Sequence, residues 1–190
     1  MYKWQIEEIN LAIAEADADD FANEEEVRQI QYDLRDRYSN DKAPIKSPPH
    51  ITLIAPFDLS SDRLETLQIE LEKFAKSRSP FTINLSKFAA FPPRVIYIDV
   101  EPNLSLQNLY TDMSTTLVNH VGIVDPYASR GFVPHMTVSS LNMKLELFNM
   151  AWGEFSDRQI DFEFEANKLT LLAYEEQKWN VLSDFDFRED

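Results

Sequence analysis

The chain has 190 residues, a formal charge of −15, 44% hydrophobic residues and no cysteine. That composition supports one domain with a sizeable core and excludes a disordered chain, disulfides and thiol chemistry. No run of about 18 apolar residues occurs, so an ordinary membrane-spanning helix is excluded. The N-terminus lacks the basic and apolar regions of a secretory signal, and a soluble cytoplasmic protein is expected. With no basic run, the negative charge argues against gripping long duplex nucleic acid. A phosphate-bearing ligand would sit in a small local pocket or contact a few nucleotides at most.

In chain order, Ile6 to Ala14 reads as a first strand, with a helical start as the alternative. The carboxylates Asp17, Asp19, Asp20, Glu24, Glu25 and Glu26 lead into a helix ending near Tyr38, where acidic groups suit the positive end of the helix dipole. Val27, Ile30, Leu34 and Tyr38 recur on one face of it. Ser39 to Lys42 is loop-like. Pro48 and Pro49 then extend the chain. His50 to Ile54 is expected as a strand stopped by Pro56. A helix follows over roughly Leu64 to Lys76, capped by Ser60, Ser61 or Asp62. Phe81–Phe91 and Arg94–Val100 form a hairpin broken at Pro92 and Pro93. Leu106 to Val121 is a helix ended by Gly122. Asp125 to Phe132 is loop, bent at Gly131; Val133 to Val138 is a strand and Leu145 to Phe155 a helix. Phe162 to Tyr174 reads as one strand, and Trp179 to Phe185 returns after a turn over Glu175–Lys178. The two halves share a layout, which predicts an internally duplicated α+β unit.

Each half carries one Pro-His-x-Thr segment. Pro49-His50-Ile51-Thr52-Leu53 is echoed by Pro134-His135-Met136-Thr137-Val138. The chain holds three histidines and eight threonines, so composition alone puts Thr two places after a given His roughly 4% of the time. On a strand, His and Thr two residues apart share a face, while the apolar residues between them point into a core. Two imidazoles and two hydroxyls lining one groove suit phosphodiester chemistry without a metal. One neutral histidine takes a proton, one protonated histidine gives one, and the hydroxyls hold the non-bridging oxygens. A single His-x-Thr is ordinarily a satisfied strand residue; two copies in equivalent halves shift the balance to function. Two histidines without cysteine make a poor zinc site, and no Gly-x-Ser-x-Gly occurs. No cofactor is expected. His120 stands outside either motif and reads as a surface or helix-end histidine.

These segments resemble the two-histidine (2H) phosphoesterases, and in particular the bacterial 2′-5′ RNA ligase-like branch. The resemblance rests on Ser47 to Leu53 with Pro56-Phe57, on Phe132 to Val138, on Phe88 to Ile98, and on Lys168 to Leu172 with Lys178-Trp179-Asn180. It implies an α+β fold of two pseudo-symmetric lobes, each an antiparallel sheet with flanking helices, the His-x-Thr strands facing a central cleft. Residues 1–190 would form this single bilobal domain. It also implies metal-independent opening of 2′,3′-cyclic phosphates of nucleotides or RNA 3′ ends to 2′-phosphates, with reverse 2′-5′ RNA ligation in some members. By carry-over His50 protonates the leaving oxygen and His135 activates water, with Thr52 and Thr137 holding the phosphate. Arg130, shortly before the second motif, would supply positive charge or stand as a plain surface arginine. Phe57, Tyr97, Tyr127 and Phe132 would each stack on a base or fill the core, with Tyr97 read as core and Phe57 and Phe132 as the base contacts. Relatives often carry an arginine after the second motif, where this chain has Ser139-Ser140-Leu141-Asn142. A monomer without membrane partners is expected. The competing readings are a non-catalytic nucleotide-binding module and an interaction protein working through Asp17 to Glu26.

Overall fold

The computed structural model describes residues 5–14, 22–39, 48–139, 143–175 and 178–188. The carboxylates Asp17, Asp19 and Asp20, most of the loop after Tyr38, and Ser140 to Asn142 lie outside that set. In order, the elements are β1 (Gln5–Ala14), α1 (Ala22–Tyr38), β2 (His50–Ser60), α2 (Ser61–Ala75), β3 (Phe81–Phe91), β4 (Val95–Val100) and α3 (Leu104–Thr116). A π turn over Leu117–Val121 prolongs α3. Then come a 3-10 turn (Ala128–Arg130), β5 (His135–Thr137), α4 (Leu145–Phe155), β6 (Gln159–Ala166), β7 (Lys168–Glu175) and β8 (Lys178–Asp186).

The strands form one eight-stranded sheet in the order β6-β3-β4-β5-β2-β1-β7-β8, every pair antiparallel. The two His-x-Thr strands, β2 and β5, are adjacent at its centre. Each is the innermost strand of a four-stranded lobe, β2-β1-β7-β8 on one side and β5-β4-β3-β6 on the other. The lobes meet through the pair Ile51–Met136. One face of the sheet builds the core, with Ile51, Leu53, Ile83, Leu85, Ile96, Ile98, Met136, Leu169 and Leu171 all buried. Each such side chain contributes about 1.5–3 kcal/mol relative to exposure.

The helices cross between lobes. The strands flanking α1, β1 and β2, both belong to the first lobe, yet α1 packs against α4 and β6 of the second. The strands flanking α3, β4 and β5, belong to the second lobe, yet α3 packs against α2 and β2 of the first. Val27, Gln31, Leu34 and Tyr38 form the buried face of α1. Asn103 caps α3 by accepting the Leu106 N–H at 2.9 Å, and Gly122 ends its π turn at φ 69°.

Three expectations are corrected. Pro56 does not stop its strand: β2 continues to Ser60. Between the pairs Ile54–Leu11 and Phe57–Ile9 lie two residues, Ala55 and Pro56, against one on β1, and the resulting bulge removes any need for a proline N–H in the ladder. Phe162 to Tyr174 is two strands, broken at Asn167; β6 pairs with β3 in one lobe and β7 with β1 in the other. The predicted strand Val133–Val138 shortens to His135–Thr137, because Val138 and Ser139 both donate to the single carbonyl of Ile96 instead of extending the ladder.

Candidate active site

Alternation places the motif side chains as expected. Ile51, Leu53 and Met136 are buried, while His50, Thr52, His135 and Thr137 lie half-exposed on the opposite face. From the pair Ile51–Met136, one step either way sets His50 across from Thr137 and Thr52 across from His135. The two histidines are therefore diagonal neighbours, a separation of about 7–8 Å between backbones. Each imidazole faces a threonine of the other lobe.

Both rings are held by the same device. His50 Nδ1 lies 2.7 Å from the Pro48 carbonyl oxygen, and His135 Nδ1 lies 2.7 Å from that of Val133. A carbonyl only accepts, so each Nδ1 carries the hydrogen and donates it. Each Nε2 is left for chemistry. The acceptor in both cases belongs to the residue before the motif proline, which gives that proline a role: its fixed φ turns the preceding carbonyl back toward the ring. Burial is the largest influence on both rings and pushes both below the usual imidazole range. The backbone bonds oppose it; nearby His135 lowers His50 further, and Asp99 raises His135.

The surroundings of the two histidines differ. Asp99 on β4 is the cross-strand partner of His135, and Tyr97 that of Thr137. The rings of Phe91 and Tyr97 each lie 5.0 Å from the His135 imidazole, Phe91 nearly perpendicular at 87°. Phe91 is 40% exposed, and Tyr97 is buried. On the other side, His50 and Thr52 pair with Ala14 and Ala12 of β1. Behind the seam, Gln31 of α1, 6% exposed, donates from Nε2 to the Thr137 carbonyl at 3.3 Å.

The other candidates fall elsewhere. Phe57 is 9% exposed within the core and beyond the bulge from His50, so its ring has no open face for a base. Phe132 gives one ring face to Tyr110 of α3, stacked at 4.2 Å. Arg130 is exposed on the 3-10 turn, its guanidinium 4.5 Å over the Tyr127 ring. His120 is an exposed partner of Glu70 at 2.7 Å. Sequence reasoning missed Phe91, Asp99 and Gln31 as neighbours of the site. It placed Tyr97 in the core, which is where it lies, but without its contact to His135.

Comparison with known proteins agrees with this arrangement. Residues 18–178 match the model of the 2′-5′ RNA ligase superfamily. A protein of Bacillus cytotoxicus named as a phosphoesterase is 33% identical over 155 residues, covering 80% of this chain and 85% of its own length. One from Bacillus licheniformis, similarly named, is 32% identical over 162 residues, covering 84% and 90%. Among solved structures, the Thermus thermophilus protein TT0787 superposes with a TM-score of 0.66 at 17% identity, covering 96% of this chain and 99% of that one. E. coli LigT without ligand gives 0.65 at 15% identity, covering 96% and 98%. With its paired His-x-Thr strands at the centre of the sheet, the chain belongs to the 2′-5′ RNA ligase superfamily of two-histidine phosphoesterases.

Proposed function

We propose that the protein is a phosphodiesterase that opens 2′,3′-cyclic phosphates of nucleotides or RNA 3′ ends by acid–base catalysis between His50 and His135. The observation that carries this is the diagonal pair of Nδ1-anchored imidazoles, each facing a threonine across the seam. In ring opening, one Nε2 takes a proton from water as the water oxygen bonds to phosphorus. The bond from phosphorus to the ribose 3′ oxygen breaks, and that oxygen takes a proton from the other Nε2. The product is a 2′-phosphate. The hydroxyls of Thr52 and Thr137 donate to the non-bridging oxygens, where charge grows. With a 5′-hydroxyl in place of water as the nucleophile, the same proton transfers open the ring and join the end that carried the 2′,3′-cyclic phosphate to that hydroxyl through a 2′-5′ linkage, the ligase reaction.

Family membership supports this chemistry. E. coli LigT has been crystallised with ATP, NADP+, 3′-AMP and phosphate, which supports a nucleotide as the substrate class. The test is a product assay in chelator. A panel of nucleoside 2′,3′-cyclic phosphates and a cyclic-phosphate-ended RNA is offered, and 2′- is resolved from 3′-phosphate. We expect 2′-phosphate from at least one of them at a rate unchanged by chelator. Saturable binding without product would select the non-catalytic reading instead.

A further inference from the structure

We propose that Tyr110 and Phe132 are positioning residues for His135: their stacked rings clamp the loop that ends in the Val133 carbonyl, and so fix the imidazole tautomer that leaves Nε2 for chemistry. This rests on the two-histidine reading above and deepens it. Tyr110 lies on α3, and its ring and that of Phe132 are 4.2 Å apart and within 6° of parallel. Phe132 immediately precedes Val133, whose carbonyl oxygen lies 2.7 Å from His135 Nδ1.

Gly131 stands at φ 76° with open space where a Cβ would be, and Val133 is 51% exposed. Phe132 is therefore the anchored residue between a glycine bend and the motif proline, which restricts Val133 in turn. The same tyrosine holds the start of the loop. Its hydroxyl donates to Asp125 Oδ2 at 2.9 Å, and Asp125 Oδ1 accepts the Tyr127 N–H at 2.9 Å. Burial and the bond to Asp125 raise the Tyr110 phenol above its usual 10, so the hydroxyl keeps the proton it donates. Backbone N–H groups of Ala128, Arg130 and Gly131 donate to the carbonyls of Asp125, Tyr127 and Ala128 and close the turn between. Both ends of the segment 125–132 thus return to one side chain.

Because α3 packs against α2 and β2, the loop that presents the second lobe's histidine is tied to a helix seated on the first. The placement of His135 relative to His50 therefore depends on Tyr110. Without the clamp the Val133 carbonyl turns away and Nδ1 loses its acceptor. A neutral imidazole then carries its hydrogen on either nitrogen. With the hydrogen on Nε2 it cannot accept a proton there, and a ring that has rotated cannot deliver one. This holds whichever way the proton moves, and it gives Phe132 a task other than contact with a base.

The experiment is long-range proton–nitrogen NMR of the histidine rings in the free protein at about pH 8, where both motif imidazoles are neutral and report which nitrogen holds the hydrogen. Wild type is expected to show the Nδ1–H form for His50 and His135. Phe132→Ala should move His135 toward the Nε2–H form and leave His50 as in wild type, while Phe132→Tyr, which keeps the stack, should leave both unchanged. With a 2′,3′-cyclic nucleotide, Phe132→Ala should lose about 10–10²-fold in kcat with KM within about twofold of wild type. Tyr110→Leu keeps apolar volume on α3 but removes the flat ring, so it should do the same and serves where Phe132→Ala does not fold. His135 keeping the Nδ1–H form in both variants, His50 moving with it, or a raised KM at unchanged kcat would overturn the proposal. The NMR measurement needs no substrate, so its outcome is separate from that of the product assay.

Discussion

Each motif imidazole commits Nδ1 to the backbone and presents Nε2, so its protonation state is set by what surrounds the second nitrogen. Burial lowers both imidazoles from 6.5. A group with a lowered pKa loses its proton at lower pH, so the state with one protonated and one neutral histidine is most populated on the acid side of 6.5. The kcat/KM profile for a 2′,3′-cyclic nucleotide is accordingly expected to be bell-shaped, with its maximum below pH 6.5 and a fall toward pH 8. A pH series with one such substrate checks this; a profile flat from pH 5 to 8 contradicts it. At this scale the shared face of His50, Thr52, His135 and Thr137 was legible, because strand alternation is a local property. Asp99, Phe91 and Tyr97 were not, since they reach His135 across strands and no spacing in the chain records that register. Phe57 looked like a cleft residue only because it follows the first motif; its burial on the core side removes it.

Among the elements, α1 ties the strands of the first lobe to the second lobe. Arg37 donates to Glu154 of α4 at 2.8 Å and pairs with Asp33 at 3.1 Å, and the Tyr38 hydroxyl bonds to Glu154 as well. Hydrogen bonds from Arg37 and Tyr38 hold the Glu154 carboxyl down to about 2 from 4.5. With the folded value depressed, the stabilisation is present above pH 4.5 and is lost as pH falls through about 2. Glu154→Gln is therefore expected to lower the Tm at pH 7 and to flatten its acid dependence between pH 4.5 and 2, as followed by thermal melts. An acid limb equal to the wild type's would contradict this. The existence and type of most elements could be read from periodicity. Pro56 misled because a bulge is a tertiary accommodation that needs knowledge of β1. Asn167 was different: burial alternates along β6 but runs unbroken from Leu169 to Ala173 in β7, a change of pattern that the near-continuous apolar run after Asn167 already marked. Gln31 carried no signal, because an amide on the buried face of a helix looks like an interruption until its partner on β5 is known.

For the whole molecule, duplication explains why two remote motifs converge. Each lobe contributes its innermost strand to a common seam, and the exchanged helices α1 and α3 fix the lobes against one another. The paired order of the halves was legible; the continuity of the sheet through Ile51 and Met136, and the helix exchange, were not, because both depend on which lobe a helix packs against rather than on its own sequence. A charge of −15 fits a site that takes one phosphate at the seam better than a surface that tracks a strand. If the two histidines act as one catalytic unit, as proposed above, their substitutions are strongly non-additive. The measurement is the opening of a 2′,3′-cyclic nucleotide by His50→Ala, by His135→Ala and by the double variant. Each single variant should lose about 10²–10⁴-fold in kcat, and the double variant should lose little more than either. Wild-type turnover by either single variant would contradict the account.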